Sequence, residues 1–167
     1  MQPVLPKASL PLRRLSVRGF TLIELMVVVA LVAIFAAIAT PSFRELMVST
    51  RTRAAASALH ESLWLARSEA IKRNKPVAFT VTTLQDGWTI TPVATPTTVL
   101  RKQDGLPNLK LSFNSGTSVT FEYNSQGRLV DGVAALKMTL SGLDGLSPRC
   151  ISFDAAARPK LTQGTCA

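Results

Sequence analysis

The chain has 167 residues, 47% of them hydrophobic, with 19 Lys and Arg against 10 Asp and Glu for a formal charge of +9. That length admits one small folded domain plus an anchor. One histidine and two cysteines leave too few ligands for a His/Cys metal cluster, and no glycine-rich phosphate loop or dinucleotide motif is present.

Four of the positive charges (Lys7, Arg13, Arg14 and Arg18) precede the first apolar residue of a long run, so the remainder carries 15 Lys and Arg against 10 acids, a balance of +5. From Phe20 to Ala39 only Thr21 and Glu24 are polar. A helix rises about 1.5 Å per residue, so this run reaches roughly 30 Å, the thickness of a bilayer core. Basic residues ahead of it predict an N-terminus inside and a C-terminal domain outside. An ionisable group in such a segment costs about 2.5–3.5 kcal/mol, so Glu24 calls for a partner.

Three readings are open for this segment. One is a plain anchor with Glu24 reaching the headgroups. Another is a cleavable secretory signal, with Ala37-Ile38-Ala39 as the cleavage site, although the run is longer than an ordinary signal core and is interrupted by Glu24. The third comes from a resemblance. The stretch "RGFTLIELMVVVALVAIFAAIATPSF" resembles the N-terminus of type IV pilins and type II secretion pseudopilins. The resemblance implies a leader at 1–19, cleaved by a prepilin peptidase between Gly19 and Phe20, with N-methylation of the new amine at Phe20. It also implies a role for Glu24 in assembly, its carboxylate pairing with the Phe20 ammonium of a neighbouring subunit. A paired buried charge is tolerable where an unpaired one is not.

Residues 20–40 are expected to form a transmembrane and filament-core helix, and 41–75 its amphipathic continuation. Pro41 is a candidate kink. Ala55, Leu59, Leu63, Ala66 and Ala70 follow the 3.6-residue period, with Trp64 and Ile71 expected to widen the same face. Asn74 and Pro76 predict a stop near Arg73. Arg67, Lys72, Arg73 and Lys75 cluster at that end, where the helix dipole favours cations. His60 reads as an ordinary surface or groove histidine.

Residues 76–167 read as an antiparallel β domain. "PVAFTVTT", "GWTITPVA", "LKLSF", "SVTFEYNS", "GRLV", "ALKMTLSG" and "RCISFD" are short, rich in Val, Ile, Thr and Phe, and separated by turn residues. Asp86-Gly87 and Ser125–Leu129 are expected turns. Connections this short favour an antiparallel sheet laid against the helix. Cys150 and Cys166, an even count in an exported domain, predict a disulfide.

This half resembles the branch containing type II secretion protein H and the FimT and FimU minor pilins, through Phe121-Glu122-Tyr123 followed by Gly127-Arg128. The implied fold is α+β and pilin-like: a long N-terminal helix, transmembrane in its first half, packed on a C-terminal antiparallel β-sheet domain. The implied function is a structural minor pilin or pseudopilin, without cofactor, metal or catalytic residues. Its partners would be other major and minor subunits, the prepilin peptidase, the assembly platform and the inner membrane, with the C-terminal domain in the periplasm. The alternative is a DNA-binding subunit for DNA uptake. Some FimT-type chains carry a Gly-Arg-x-Arg turn associated with DNA capture. Here the matching residues are Ala157-Arg158-Pro159-Lys160, so Arg158 and Lys160 are the candidate DNA contacts, with the glycine and second arginine missing.

Overall fold

The computed structural model describes residues 19–114, 119–130 and 136–166, leaving aside the side chains of 38–42. Residues 1–18 of the expected leader and the side chain of Pro41 therefore lie outside the described residues. Two compact units divide the chain, residues 1–40 and 41–167.

Helix α1 runs Leu22–Arg73. In the first unit its described side chains, from Phe20 to Ala37, are exposed. Among the described residues no helix is both long and apolar enough to cross a membrane, and the expected span at 20–40 extends past the last of these side chains. At its far end the helix is stopped by a Schellman arrangement. Asn74 adopts φ 51°, its N–H donates to the Ile71 carbonyl (3.1 Å), and the Lys75 N–H donates to the Ala70 carbonyl (3.2 Å). Pro76 then forbids continuation.

Among its described residues the second unit carries eight strands: β1 (Val77–Val81), β2 (Trp88–Pro92), β3 (Arg101–Gln103), β4 (Leu109–Phe113), β5 (Val119–Tyr123), β6 (Lys137–Gly142), β7 (Arg149–Phe153) and β8 (Pro159–Gln163). They form two four-stranded antiparallel sheets, ordered β3-β2-β1-β5 and β4-β6-β7-β8, where the connections suggested one. The segment "GRLV" is no strand; it contributes only an isolated bridge between Tyr123 and Leu129.

Alternation sets each strand's inner face. Val77, Phe79 and Val81 of β1 point inward and register against Pro92, Ile90 and Trp88 of β2. Ala55, Leu59, Leu63, Ala66 and Ala70 of α1 are buried in the same core as residues of both sheets. Phe121 joins the two layers, its ring stacked on Phe79 (5.2 Å) and edge-on to Phe153 of the second sheet (5.6 Å). Each large apolar side chain buried here contributes about 1.5–3 kcal/mol. Trp64 and Ile71 are not part of this core: they are 38% and 45% exposed, on the flank of the helix.

Candidate assembly and recognition sites

The helix begins with a capping box. The Glu24 N–H donates to Thr21 Oγ1 (3.3 Å), while Glu24 Oε2 accepts from the Thr21 N–H and hydroxyl (3.4 Å each). Thr21 is the N-cap and Glu24 the third helical residue, the spacing that lets each side chain satisfy the other's orphan backbone donor. Glu24 thus has a partner within its own chain. Carboxylate charge also suits a helix N-terminus. The signal, Thr-x-x-Glu ahead of an apolar run, stands in the sequence. Gly19 and Phe20 precede this cap, with Phe20 75% exposed.

In the second unit, two turns share one design. Asn124 Oδ1 accepts from the N–H groups of Gln126 (3.0 Å) and Arg128 (2.9 Å), and the Gly127 N–H donates to the Asn124 carbonyl (2.8 Å). Asp154 Oδ1 accepts from Ala156 and Arg158 (2.9 Å each), and the Ala157 N–H donates to the Asp154 carbonyl (2.8 Å). Gly127 and Ala157 hold the left-handed position, at φ 71° and 59°. Each turn ends in an exposed arginine, and the turns touch: Arg128 Nη2 donates to the Ala155 carbonyl (3.4 Å).

The predicted residues Arg158 and Lys160 lie here. Arg158 is ion-paired with Asp154 at 2.7 Å, and Lys160 is exposed on β8, a sheet edge that opens with Pro159. Arg158 guanidinium charge is therefore partly neutralised within its own turn. The Arg158 N–H, opposed by partial burial and aided by the guanidinium, holds the Asp154 carboxyl below the usual carboxylate range. Arg128, read from the sequence as part of the family motif but not as a DNA contact, stands beside them; the signal was the repeated pattern Asn/Asp-x-x-Gly/Ala-Arg.

Helix α1 braces both turns. The Arg67 guanidinium sits 5.7 Å from the centre of the Trp64 ring, and its Nε donates to the Gly127 carbonyl (3.0 Å). His60 Nε2 lies 3.1 Å from the Pro159 carbonyl and 3.3 Å from Trp64 Nε1. One ring nitrogen cannot donate to the carbonyl and accept from the indole at once, so the tautomer selects one contact. Behind the second turn, a disulfide joins Cys150 on β7 to Cys166, tying the C-terminal segment to the sheet. Among the described residues no three His, Cys, Asp or Glu side chains gather as a metal site.

The family model described as Type II transport protein GspH matches residues 55–157, and the prokaryotic N-terminal methylation motif matches residues 14–40. The chain belongs to the GspH family. Two fimbrial proteins of Pseudomonas aeruginosa are 33% and 32% identical to it over 136 residues, 73% of this chain and 86% of theirs. Crystal structures of the type IV minor pilin FimU from the same organism share the fold. They give TM-scores of 0.60 and 0.58 at 22% and 23% identity, covering 71% and 69% of this chain and 96% and 99% of theirs. This GspH chain is accordingly a pilin-type structural subunit, of a kind that assembles with other pilins or pseudopilins.

Proposed function

We propose that this GspH chain is made as an inner-membrane precursor, cut after Gly19, methylated at Phe20, and assembled through residues 20–40 as a minor subunit of a pseudopilus or type IV pilus. The supporting observation is one chain that carries the methylation motif at 14–40 ahead of a GspH domain at 55–157. In this reading the prepilin peptidase and the assembly platform act on the N-terminal segment, and the β domain, in the periplasm, meets other minor subunits. Glu24 serves twice. Its carboxylate caps its own helix and keeps acceptor capacity for the Phe20 ammonium of a neighbour. Mass spectrometry of the chain recovered from cells with an active prepilin peptidase tests this. The reading requires an N-terminus at a methylated Phe20, and a chain still carrying residues 1–19 after export would sink it.

A second reading, DNA binding, draws support from Arg128 and Arg158 on the touching turns, with Lys160 exposed on the strand that follows the second turn. Phosphate contacts need no base readout, so such a cluster suffices for weak, salt-sensitive binding. The Asp154 carboxylate works against it. A salt titration of DNA binding beside an Arg128→Ala/Arg158→Ala/Lys160→Ala variant separates the readings: retention that is absent at low salt, or unchanged in the variant, removes this one.

A further inference from the structure

A groove of about 580 Å³ opens within the second unit, between α1 and the connection that joins β3 to β4. Arg51, Ala54 and Ala58 of the helix form one wall, and Gln103, Leu106 and Pro107 form the other. That volume is in the range of ligand clefts, about 300–1,000 Å³. The second wall is fixed in place. The Leu106 N–H donates to the Leu84 carbonyl (2.7 Å), and Gly105 packs so closely on the Gln85 carbonyl that no side chain fits there.

Both sheets end at this groove. β3 is the last strand of one and β4 of the other, so each lacks a neighbour on its outer side. Arg101 lies directly opposite buried Ile90 and shares its face of the sheet, with Gln103 two residues along on the same face. Arg51 and Arg101 are exposed, and among the described residues neither is ion-paired, unlike Arg73 and Arg158. Asp104 follows Gln103 but does not line the groove.

We propose that this groove docks an extended, acidic segment of a different pilin-type subunit, which runs along the open edge of β3 and sets its carboxylates against Arg51 and Arg101. The inference rests on the minor-subunit reading above and names what such a partner must present. A free strand edge recognises polypeptide, because its unpaired backbone groups match those of another extended chain. The unpaired arginines select carboxylates, and the floor of Ala54 and Ala58 lets a backbone approach closely. A second copy of this chain fits poorly. Edge-to-edge pairing of two β3 strands would set Arg101 and Lys102 against their own counterparts. The opposite flank of the helix, where His60 and Arg67 reach Pro159 and Gly127, is basic as well, through Arg67, Arg128 and Arg158. Stacking that flank on the groove would again bring like charges together.

The test uses the full chain in cells that assemble the filament. A photoreactive benzoylphenylalanine is placed at Ala54, and in a second strain at Pro107, both exposed on the groove. After irradiation, mass spectrometry identifies the joined chain and the segment attached. The expected adduct is to an acidic segment of a different pilin-type subunit. Arg51→Glu/Arg101→Glu should lower its yield at least about tenfold, and Arg51→Lys/Arg101→Lys should largely keep it. Arg53→Glu/Lys75→Glu makes the same charge change away from the groove and should leave the yield intact. Exchanging the acids of the mapped segment for lysine should restore the adduct of the Glu variant, which a misfolded chain would not allow. An adduct to a second copy, to lipid or to nothing, in a chain that carries methylated Phe20 and enters assemblies, overturns the proposal and leaves the subunit reading standing. An adduct to another subunit that is indifferent to the charge reversal also overturns it. A chain that is neither processed nor assembled overturns both.

Discussion

Gly127 and Ala157 occupy the same position in two matching turns, each left-handed and each followed by an arginine. A left-handed residue costs an L-amino acid roughly 1–2 kcal/mol, and glycine avoids that cost. Ala157 is nonetheless buried, and its methyl contributes about 0.8 kcal/mol of burial. The two terms nearly offset, with relief of strain slightly larger. Ala157→Gly is therefore expected to leave stability unchanged or to raise it by up to about 1 kcal/mol. A thermal-unfolding midpoint clearly below that of the parent would contradict this.

The converse change, Gly127→Ala, should destabilise. The left-handed φ alone costs about 1–2 kcal/mol. A side chain at 127 would also approach Ile71 Cδ1 to 2.6 Å, but Ile71 is on the exposed flank of the helix and its terminal methyl can swing aside. The steric part is thus the smaller. In a double-mutant cycle with Ile71→Val the rescue should stay below about 0.5 kcal/mol. Full rescue would mean that crowding, and not backbone conformation, fixes glycine here.

Thr21 and Glu24 allow the cap to be separated from the charge. Glutamine at the third helical position completes a capping box as glutamate does, but carries no charge. If Glu24 pairs with a neighbouring ammonium, Glu24→Gln and Glu24→Ala should both fail to enter filaments. Thr21→Ala, costing about 1 kcal/mol of capping, should enter nearly as well as the parent. Quantifying each variant in sheared filaments or in affinity-isolated tip complexes decides this. Normal incorporation of Glu24→Gln would reduce Glu24 to a helix cap.

Much of this architecture was legible because the apolar pattern coincides with burial. Ala55, Leu59, Leu63, Ala66 and Ala70 recur at the helical period and are all in the core; β1, β2 and β4 to β6 alternate, and β7 buries Cys150, Ile151 and Phe153. What escaped had no such pattern. Strand β3 consists of Arg101, Lys102 and Gln103, an edge carried by pairing to β2 and not by its own side chains. Strand β8 opens on Pro159, which reads as a turn, yet an edge strand can begin with proline because no ladder donor is needed there. Trp64 and Ile71 were misplaced because apolar character does not by itself require burial. The capping box was hidden by the question of what a carboxylate costs in lipid. The division of the strands into two sheets depends on long-range pairing that short connections leave open.

The acid limb of stability should depend on Asp154. Its carboxyl is held below the ordinary range chiefly by the Arg158 N–H, then by the Arg158 guanidinium and the Ala156 N–H. A group whose folded value is depressed contributes stability above its unfolded value, near 4 for aspartate, and loses it as pH falls through the folded value. Asparagine is a suitable replacement, because Asn124 builds the same turn with the same acceptor. Asp154→Asn should therefore fold normally, lie somewhat below the parent in stability at neutral pH, and converge with it as pH drops below about 4. Urea midpoints measured from neutral pH down to the acid limb provide the test. Curves that run parallel throughout would show that the Asp154–Arg158 pair contributes nothing to folding, and that the arginine is held for another purpose.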